Sequence, residues 1–277
     1  MLNSKLHDAS LPPRSLPAIA PVAHKTLSNL LAQMAPVSLG EIQDVALLRR
    51  FDTKMVLRED QLTRVLAQLR DAYDVLEITG QCIHRYHTRY FDTPALSFYH
   101  QHHNGQRNRY KVRIRTYEDS GLAFLEVKCK TNQDITIKER LRLPEPTATI
   151  NAEGRRFLDA LLPLPAATLL PVLGNAFRRV TLVSKQRAER LTLDLGLSFR
   201  LGGSGIALPG IAIVEIKQAA YSLCSEFIGQ ARKLGLRTTS FSKYCTGVAL
   251  LAPKVKHNAF KPQLGLLDRI FQGENNS

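Results

Sequence analysis

The segment RNRYKVRIRTY, residues 107–117, contains residues whose types and spacing suit the binding of an anion. Its cations alternate with apolar residues, and a β-strand turns successive side chains to opposite faces. Lys111, Arg113 and Arg115 therefore share one face of a predicted strand, while Val112 and Ile114 take the other. Guanidinium groups bind phosphate oxygens through paired donors, and lysine supplies a compact positive charge. The cations of this row therefore face water, a nucleic acid or something enclosed by the fold.

Five further segments place two or three charged residues on one face of a predicted strand. They are RRFDTKMVL, LEVKCK, ITIKERLRL, ERLTLD and IVEIKQ. For one strand alone, a face exposed to water explains such charges. Recurrence over six strands favours a closed barrel with a polar interior, in which an enclosed anion offsets the desolvation of the cations. The carboxylates on these faces suit a divalent cation, although Glu126 and Asp194 are equally suited to pairing with neighbouring cations.

The elements that position these residues are predicted to be strands in series, with helices at the ends and outside. Turn signals such as EDSG, TNQD and LGGSG separate the strands. One strand is predicted to end near Leu57, and the others cover residues 83–93, 110–117, 122–131, 135–143, 178–188, 189–200 and 212–219. Helices are predicted over residues 26–36, 58–73, 151–173, 222–235 and 242–251. The predicted fold class is α+β and mainly antiparallel, with one domain over residues 26–252, a flexible lead over 1–25 and a tail over 253–277.

Composition narrows the partners and the compartment. The 277 residues include 38 Lys and Arg against 24 Asp and Glu, a net charge of +14, which predicts polyanion partners. Nucleic acid is not expected, because no aromatic residues alternate with the cations to stack bases. The four cysteines show no C-x-x-C spacing, which indicates reduced thiols. No apolar run reaches the length of a membrane span and no secretory signal is evident, so a cytoplasmic location is expected.

Seven motifs in series resemble one known family. They are YFDTPxLxxY, KVRIRTY, FLEVKCK, IKER, LTLD, VEIK and SFSKY. In order and spacing they are similar to the polyphosphate polymerase domain of the vacuolar transporter chaperone (VTC) family, over residues 45–252. That domain belongs to the triphosphate tunnel metalloenzymes, as do the CYTH proteins. The resemblance implies an antiparallel eight-stranded β-barrel, closed into a tunnel with helices packed outside. It also implies transfer of the ATP γ-phosphate to polyphosphate with Mn²⁺ or Mg²⁺.

The resemblance also implies roles for particular residues. The expected catalytic cations are Lys54, Arg113, Arg115, Lys128 and Lys138. The expected substrate-binding residues are Arg50, Arg187, Ser242 and Lys243, and Arg187 aligns more loosely than the others. Glu215 is the expected metal ligand.

Two departures from the family pattern bear on the activity. Ser240 stands where the polymerases often have a lysine. The first strand carries one acid, Asp52, where the CYTH signature has two, and this favours the polymerase branch over the hydrolases and cyclases. Two alternatives remain open at this point: hydrolysis of an inorganic or nucleoside triphosphate in the same tunnel, and non-catalytic binding of polyanions.

Overall fold

The computed structural model describes residues 21–43, 51–133, 135–219, 222 and 224–273. The described strands are β1 (Pro36–Val37), β2 (Phe51–Arg58), β3 (Tyr73–Leu76), β4 (His84–Asp92), β5 (Arg109–Tyr117), β6 (Leu122–Lys130), β7 (Thr136–Leu143), β8 (Leu170–Ser184), β9 (Glu189–Leu201) and β10 (Ser204–Gln218). The described helices are α1 (Pro21–Leu31), α2 (Leu39–Gln43), α3 (Glu59–Ala67), α4 (Ser97–His103), α5 (Ala152–Asp159), α6 (Glu226–Lys233), α7 (Lys243–Leu251) and α8 (Lys261–Phe271). Short 3-10 helices cover Ala166–Thr168 and Asn258–Phe260.

Eight of these strands form one continuous antiparallel sheet in the order β2-β10-β9-β8-β4-β5-β6-β7. β3 adds to β8, and β1 pairs with β3 in parallel. The predicted α+β class and the eight-stranded antiparallel arrangement are confirmed. The sheet curls, and the curvature brings Lys54 of β2 and Lys128 of β6 to the lining of one cavity. The predicted closure is wrong for the described residues: β2 and β7 share no ladder, so the barrel keeps two edges along a seam.

Apolar residues on the outer face of the sheet pack under helices. Leu191, Leu193 and Leu195 of β9 belong to a buried cluster with residues of α1, α3 and α6. On the other side of the barrel, Val112 and Leu125 pack with α4 and α5 in a second cluster. Because side chains alternate along a strand, this burial turns the intervening charged residues toward the concave face.

One helix, α7, lies on the concave face instead. Ile213, which has the same strand parity as Glu215, packs in a buried cluster with Tyr244 and Val248 of α7. Gly247 allows this approach, because a Cβ there would lie 2.6 Å from Leu173 Cδ2 and 2.7 Å from Phe199 Cδ1. The helix therefore fills one part of the barrel interior, and the charged side chains line another part.

The largest error in the predicted elements concerns residues 151–173. The helix α5 ends at Asp159, because Pro163 and Pro165 interrupt any continuation. β8 already begins at Leu170, and Leu173 pairs with Tyr90 of β4.

The chain ends bear on the predicted lead and tail. Residues 1–20 of the predicted lead lie outside the described residues, and α1 begins at Pro21. Within the predicted tail, α8 buries Leu267 and Ile270 in the same cluster as α7. None of the described helices is long and apolar enough to cross a membrane.

Candidate functional site

A row of three lysines crosses β5, β6 and β7 on the concave face. Lys111 is paired with Lys128, and Lys128 with Lys138, in the antiparallel register. Like charges directly opposite one another on adjacent strands destabilise a sheet. The lysine amines of this row therefore repel one another, and a bound anion would reduce that repulsion.

The neighbouring row contains the first of three buried carboxylates. Glu126 is 1% exposed, and its Oε2 accepts a hydrogen bond from Arg113 Nε at 2.7 Å. Lys138 Nζ leans from the lysine row to Glu126 Oε1, at 2.5 Å. Burial alone would raise the pKa of Glu126, but Arg113, Arg115 and Lys138 hold it well below its usual range. Glu126 therefore stays ionised and fixes two cations.

Asp194 of β9 forms a second such cluster. Arg179 binds it with both ends of its guanidinium, Nε to Oδ1 at 2.6 Å and Nη2 to Oδ2 at 2.8 Å. Lys243, the first residue of α7, donates to the same Oδ2. Burial would raise the pKa of Asp194, but Arg179 and Lys243 hold it well below its usual range. This cluster ties α7 to the wall of the barrel.

Glu215 of β10 forms the third cluster. Its Oε2 is 2.5 Å from Lys217 Nζ and its Oε1 is 3.6 Å from Lys54 Nζ. Lys217 also donates to Thr192 Oγ1 at 3.3 Å. Burial would raise the pKa of Glu215, and the charges of Lys217 and Lys54 lower it well below its usual range.

Three concave-face cations, Lys111, Lys128 and Arg115, form no ion pair among the described residues. Arg115 is only 8% exposed, and its Nε makes no hydrogen bond to the described part of the chain. Its guanidinium lies 5.7 Å from the centroid of the Tyr86 ring. Burial and the charge of Arg113 lower the pKa of Arg115. An unpaired buried guanidinium is costly, so it indicates an anion-binding position.

Some of these cations open into a cavity of about 690 Å³ at one end of the barrel. Lys54, Lys111 and Lys128 line it, together with Arg109, Lys130 and the acidic residue Asp52. Counting the three clusters and the unpaired residues, nine cations accompany three carboxylates. The excess of positive charge matches a ligand with several negative charges.

The lysine row makes anion binding depend on pH. Burial, with the repulsion of Lys128 and Lys54, lowers the pKa of Lys111 to about 8. Burial and the charge of Lys54 likewise lower the pKa of Lys128 to about 8, although Glu215 opposes this. An anion binds the protonated amines, so we expect affinity for tripolyphosphate to fall as pH rises from 7 to 9.5. Titration calorimetry measures this, and the fall should be smaller in a Lys111→Arg, Lys128→Arg variant, which stays charged. Equal pH profiles for the two proteins would contradict the prediction.

The structure brings most of the predicted site residues together. Seven of them lie on the concave face around the clusters and the unpaired cations: Lys54, Arg113, Arg115, Lys128, Lys138, Glu215 and Lys243. Ser242 lines the cavity and caps α7, since its Oγ accepts a hydrogen bond from Cys245 N at 3.3 Å. Arg187 is not brought to this group, because it is exposed in the turn between β8 and β9. Arg50 lies outside the described residues.

The predicted set lacks two cations that the structure places in the clusters, Arg179 and Lys217. The signal for Arg179 was present: Val180 and Leu182 take the buried face, so parity turns Arg179 inward. Lys217 shares the face of Glu215 in VEIK, by the same rule. The predicted pairing of Glu126 and Asp194 with neighbouring cations is what the structure shows.

The described residues do not fit a resident metal ion. They contain no group of three His, Cys, Asp or Glu side chains placed to hold one. Both oxygens of Glu215 already face lysine amines. Mg²⁺ is often held by one or two carboxylates together with the phosphates of a substrate, and Glu215 is the carboxylate expected to contribute to such a contact.

Comparison with known proteins adds a family and a set of remote structural likenesses. No curated protein matches the sequence. Among solved structures, a candidate adenylate cyclase from Bacillus halodurans is 13% identical, with 70% of this chain and 94% of that chain covered and a TM-score of 0.46. A candidate adenylyl cyclase from Hippeastrum, described as having a dominant triphosphatase activity, is 16% identical, with 73% and 97% covered and a TM-score of 0.41. These values are too low to indicate function. The family model described as the VTC domain matches residues 49–252, which include the described concave-face strands, and the chain therefore belongs to the VTC domain family.

Proposed function

We propose that this chain is a phosphotransferase that moves the γ-phosphate of ATP to the end of a polyphosphate chain inside the barrel. A terminal oxygen of the acceptor attacks the γ-phosphorus. The bond from that phosphorus to the β–γ bridging oxygen breaks, and ADP leaves with the electron pair. Phosphoryl transfer needs little covalent help from a protein, because positioning and neutralisation of charge supply most of the catalysis.

The observation that carries this proposal is the set of unpaired cations around the lysine row. Lys111 and Lys128 oppose each other without a carboxylate partner among the described residues. Arg115, four residues from Lys111 on the same face of β5, is also buried without one. Such an arrangement is unfavourable for the empty protein and favourable when a polyanion is bound. A triphosphate together with an acceptor phosphate supplies negative charge on the scale of this excess.

Each group has a role toward the phosphates. Arg115, with its free Nε, is suited to the oxygens that gain charge in transfer, because a guanidinium offers a fork of fixed donors. Lys111, Lys128 and Lys54 neutralise the phosphates that enter through the cavity. Arg113 and Arg179 are fixed in position by their ion pairs with Glu126 and Asp194. They therefore present positive charge at defined places on the concave face.

The same carboxylates favour transfer over hydrolysis. Hydrolysis needs a base or a metal ion to activate water, and a base works best with a pKa near the operating pH. Glu126, Asp194 and Glu215 each face two cations that lower their pKa. They are therefore poor bases. A terminal phosphate of polyphosphate is already anionic and needs no base, so the site suits it better as the acceptor.

Incubation of the purified protein with γ-labelled ATP and Mn²⁺ or Mg²⁺ tests the proposal. We expect a ladder of labelled polymer on a gel, and a Lys128→Met variant should reduce its rate of formation about 100-fold. Lys128 has no ion pair to lose among the described residues, so the variant should still fold. Lys185→Met is the matched control, since the one ion pair of Lys185 among the described residues is with Asp74 at the surface, at 3.4 Å.

Two outcomes would contradict the proposal. Labelled orthophosphate without polymer would make the chain a triphosphate hydrolase. Tight binding of tripolyphosphate without turnover would make it a polyanion-binding module.

A further inference from the structure

The cavity at the end of the barrel has two kinds of lining. The charged residues, which include Lys54, Lys111, Lys128 and the acidic Asp52, come from strands of the sheet. Neutral residues come from the segment before α7 and from the C-terminal region: Thr238, Thr239, Ser240, Ser242, Phe260 and Gln263. An inorganic polyphosphate carries charge along its whole length and has no ring that could stack on an aromatic side chain. A ligand that is anionic at one end and neutral at the other matches both linings.

One aromatic residue of the lining, Phe260, lies outside the segment that the family model covers, whereas Phe241 lies within it. That match ends at residue 252, whereas Phe260 follows it in a 3-10 helix. The Phe260 ring centroid is 5.6 Å from that of Tyr99 and 5.7 Å from that of His103, both on α4. Ala259 N donates to His103 Nε2 at 3.3 Å, which anchors the backbone next to the ring. The ring is therefore held in place before a ligand arrives, and this lowers the cost of binding.

The polar part of the lining includes an amide that the protein satisfies incompletely. Gln263 Nε2 donates to Ser240 Oγ at 2.5 Å. Its Oε1 is buried and has no hydrogen-bond partner among the described residues. Buried polar atoms without a partner are uncommon, and each asks for an explanation. An N–H group at the edge of a nucleobase would supply the missing donor after a small rotation of the amide.

The size of the cavity fits the same ligand. Its volume of about 690 Å³ lies within the range of pockets that enclose small organic ligands. The cations Lys111 and Lys128 lie on its strand side, where the proposed triphosphate position begins.

We propose that Phe260 and Gln263 form a nucleoside-binding wall, which makes a nucleoside triphosphate, rather than an inorganic triphosphate, the preferred donor. The inference rests on the proposed function, because it assumes that the cations hold the triphosphate. Ser240 then has a defined place: a lysine there would put charge next to the amide, whereas the serine hydroxyl holds Gln263 in position.

Titration calorimetry of the full chain with ATP and, separately, with tripolyphosphate tests this wall. We expect Gln263→Ala to weaken ATP binding about fivefold, the scale of one hydrogen bond, and Phe260→Leu to weaken it about tenfold, the scale of base stacking. Tripolyphosphate binding should stay within twofold of the unchanged protein in both variants. Gln272→Ala is the matched control, because Gln272 is exposed at the C-terminal end of α8.

The outcomes separate the wall from the site itself. Selective loss of ATP affinity supports the nucleoside-binding wall. Parallel loss of both ligands, or no change in either, overturns it while leaving the triphosphate site intact. Failure of the unchanged protein to bind either ligand would overturn the proposed function as well.

Discussion

Arg115→Met should abolish most phosphoryl transfer without weakening the fold. We expect kcat/KM for ATP to fall by about 100-fold or more, because the variant removes fixed donors from the charge that develops in transfer. The free energy of unfolding should stay the same or rise by about 1–2 kcal/mol, since Arg115 is buried without an ion pair among the described residues. Labelled-ATP assays and urea unfolding measure the two quantities.

The control for Arg115 is Arg64→Met on α3, because the one ion pair of Arg64 in the described part of the chain is an exposed pair with Asp60, at 3.4 Å. That change should leave both activity and stability within error, as exposed pairs contribute little. A marked fall in the free energy of unfolding of Arg115→Met would contradict the prediction, because it would mean that Arg115 stabilises the fold in the absence of a ligand.

Asp194→Asn should have the opposite signature, with a large loss of stability. The change leaves Arg179 and Lys243 buried without their common counter-charge. Removing one partner of a buried pair typically costs about 3–5 kcal/mol, and we expect that loss in urea unfolding. Excess tripolyphosphate should restore part of it, because a ligand that binds only the folded state stabilises that state, and this one brings negative charge to the same cations.

Asp119→Asn is the matched control for Asp194, since Asp119 pairs with Arg85 at the surface, at 2.8 Å. It should cost at most about 1 kcal/mol and gain nothing extra from tripolyphosphate. If Asp194→Asn unfolds at the same urea concentration as the unchanged protein, the Asp194 cluster does not hold α7 to the barrel.

The sequence was sufficient to predict which side chains share the concave face, because strand parity is a local property. Arg113, Arg115 and Lys128 follow from alternation alone. Ion pairing is not local, because it depends on the register of three strands. In that register Glu126 pairs with Arg113 and Lys138, whereas Lys111 and Lys128 form no ion pair among the described residues. No single segment contains that information.

The choice of Arg187 over Arg179 shows a related limit. The loosely aligned Arg187 falls in a turn, and the strand residue Arg179 takes the inward position beside Asp194. The C-terminal lining was beyond prediction for another reason. The role of Phe260 depends on contacts with α4, more than 150 residues earlier in the chain, which the sequence pattern of the tail does not reveal.

The seam between β2 and β7 makes this an open barrel with two edge strands rather than a closed one. Among the described strands no ladder spans this gap, so widening it breaks no backbone hydrogen bond there. Electrostatic forces act across it instead: Glu215 of β10 raises the pKa of Lys128 on β6, and Lys54 of β2 lowers it. Attraction and repulsion therefore oppose each other across the seam. An anion held between Lys54 and Lys128, as we propose, would add an attraction to both sides, so the width of the gap should depend on the charge of the bound ligand.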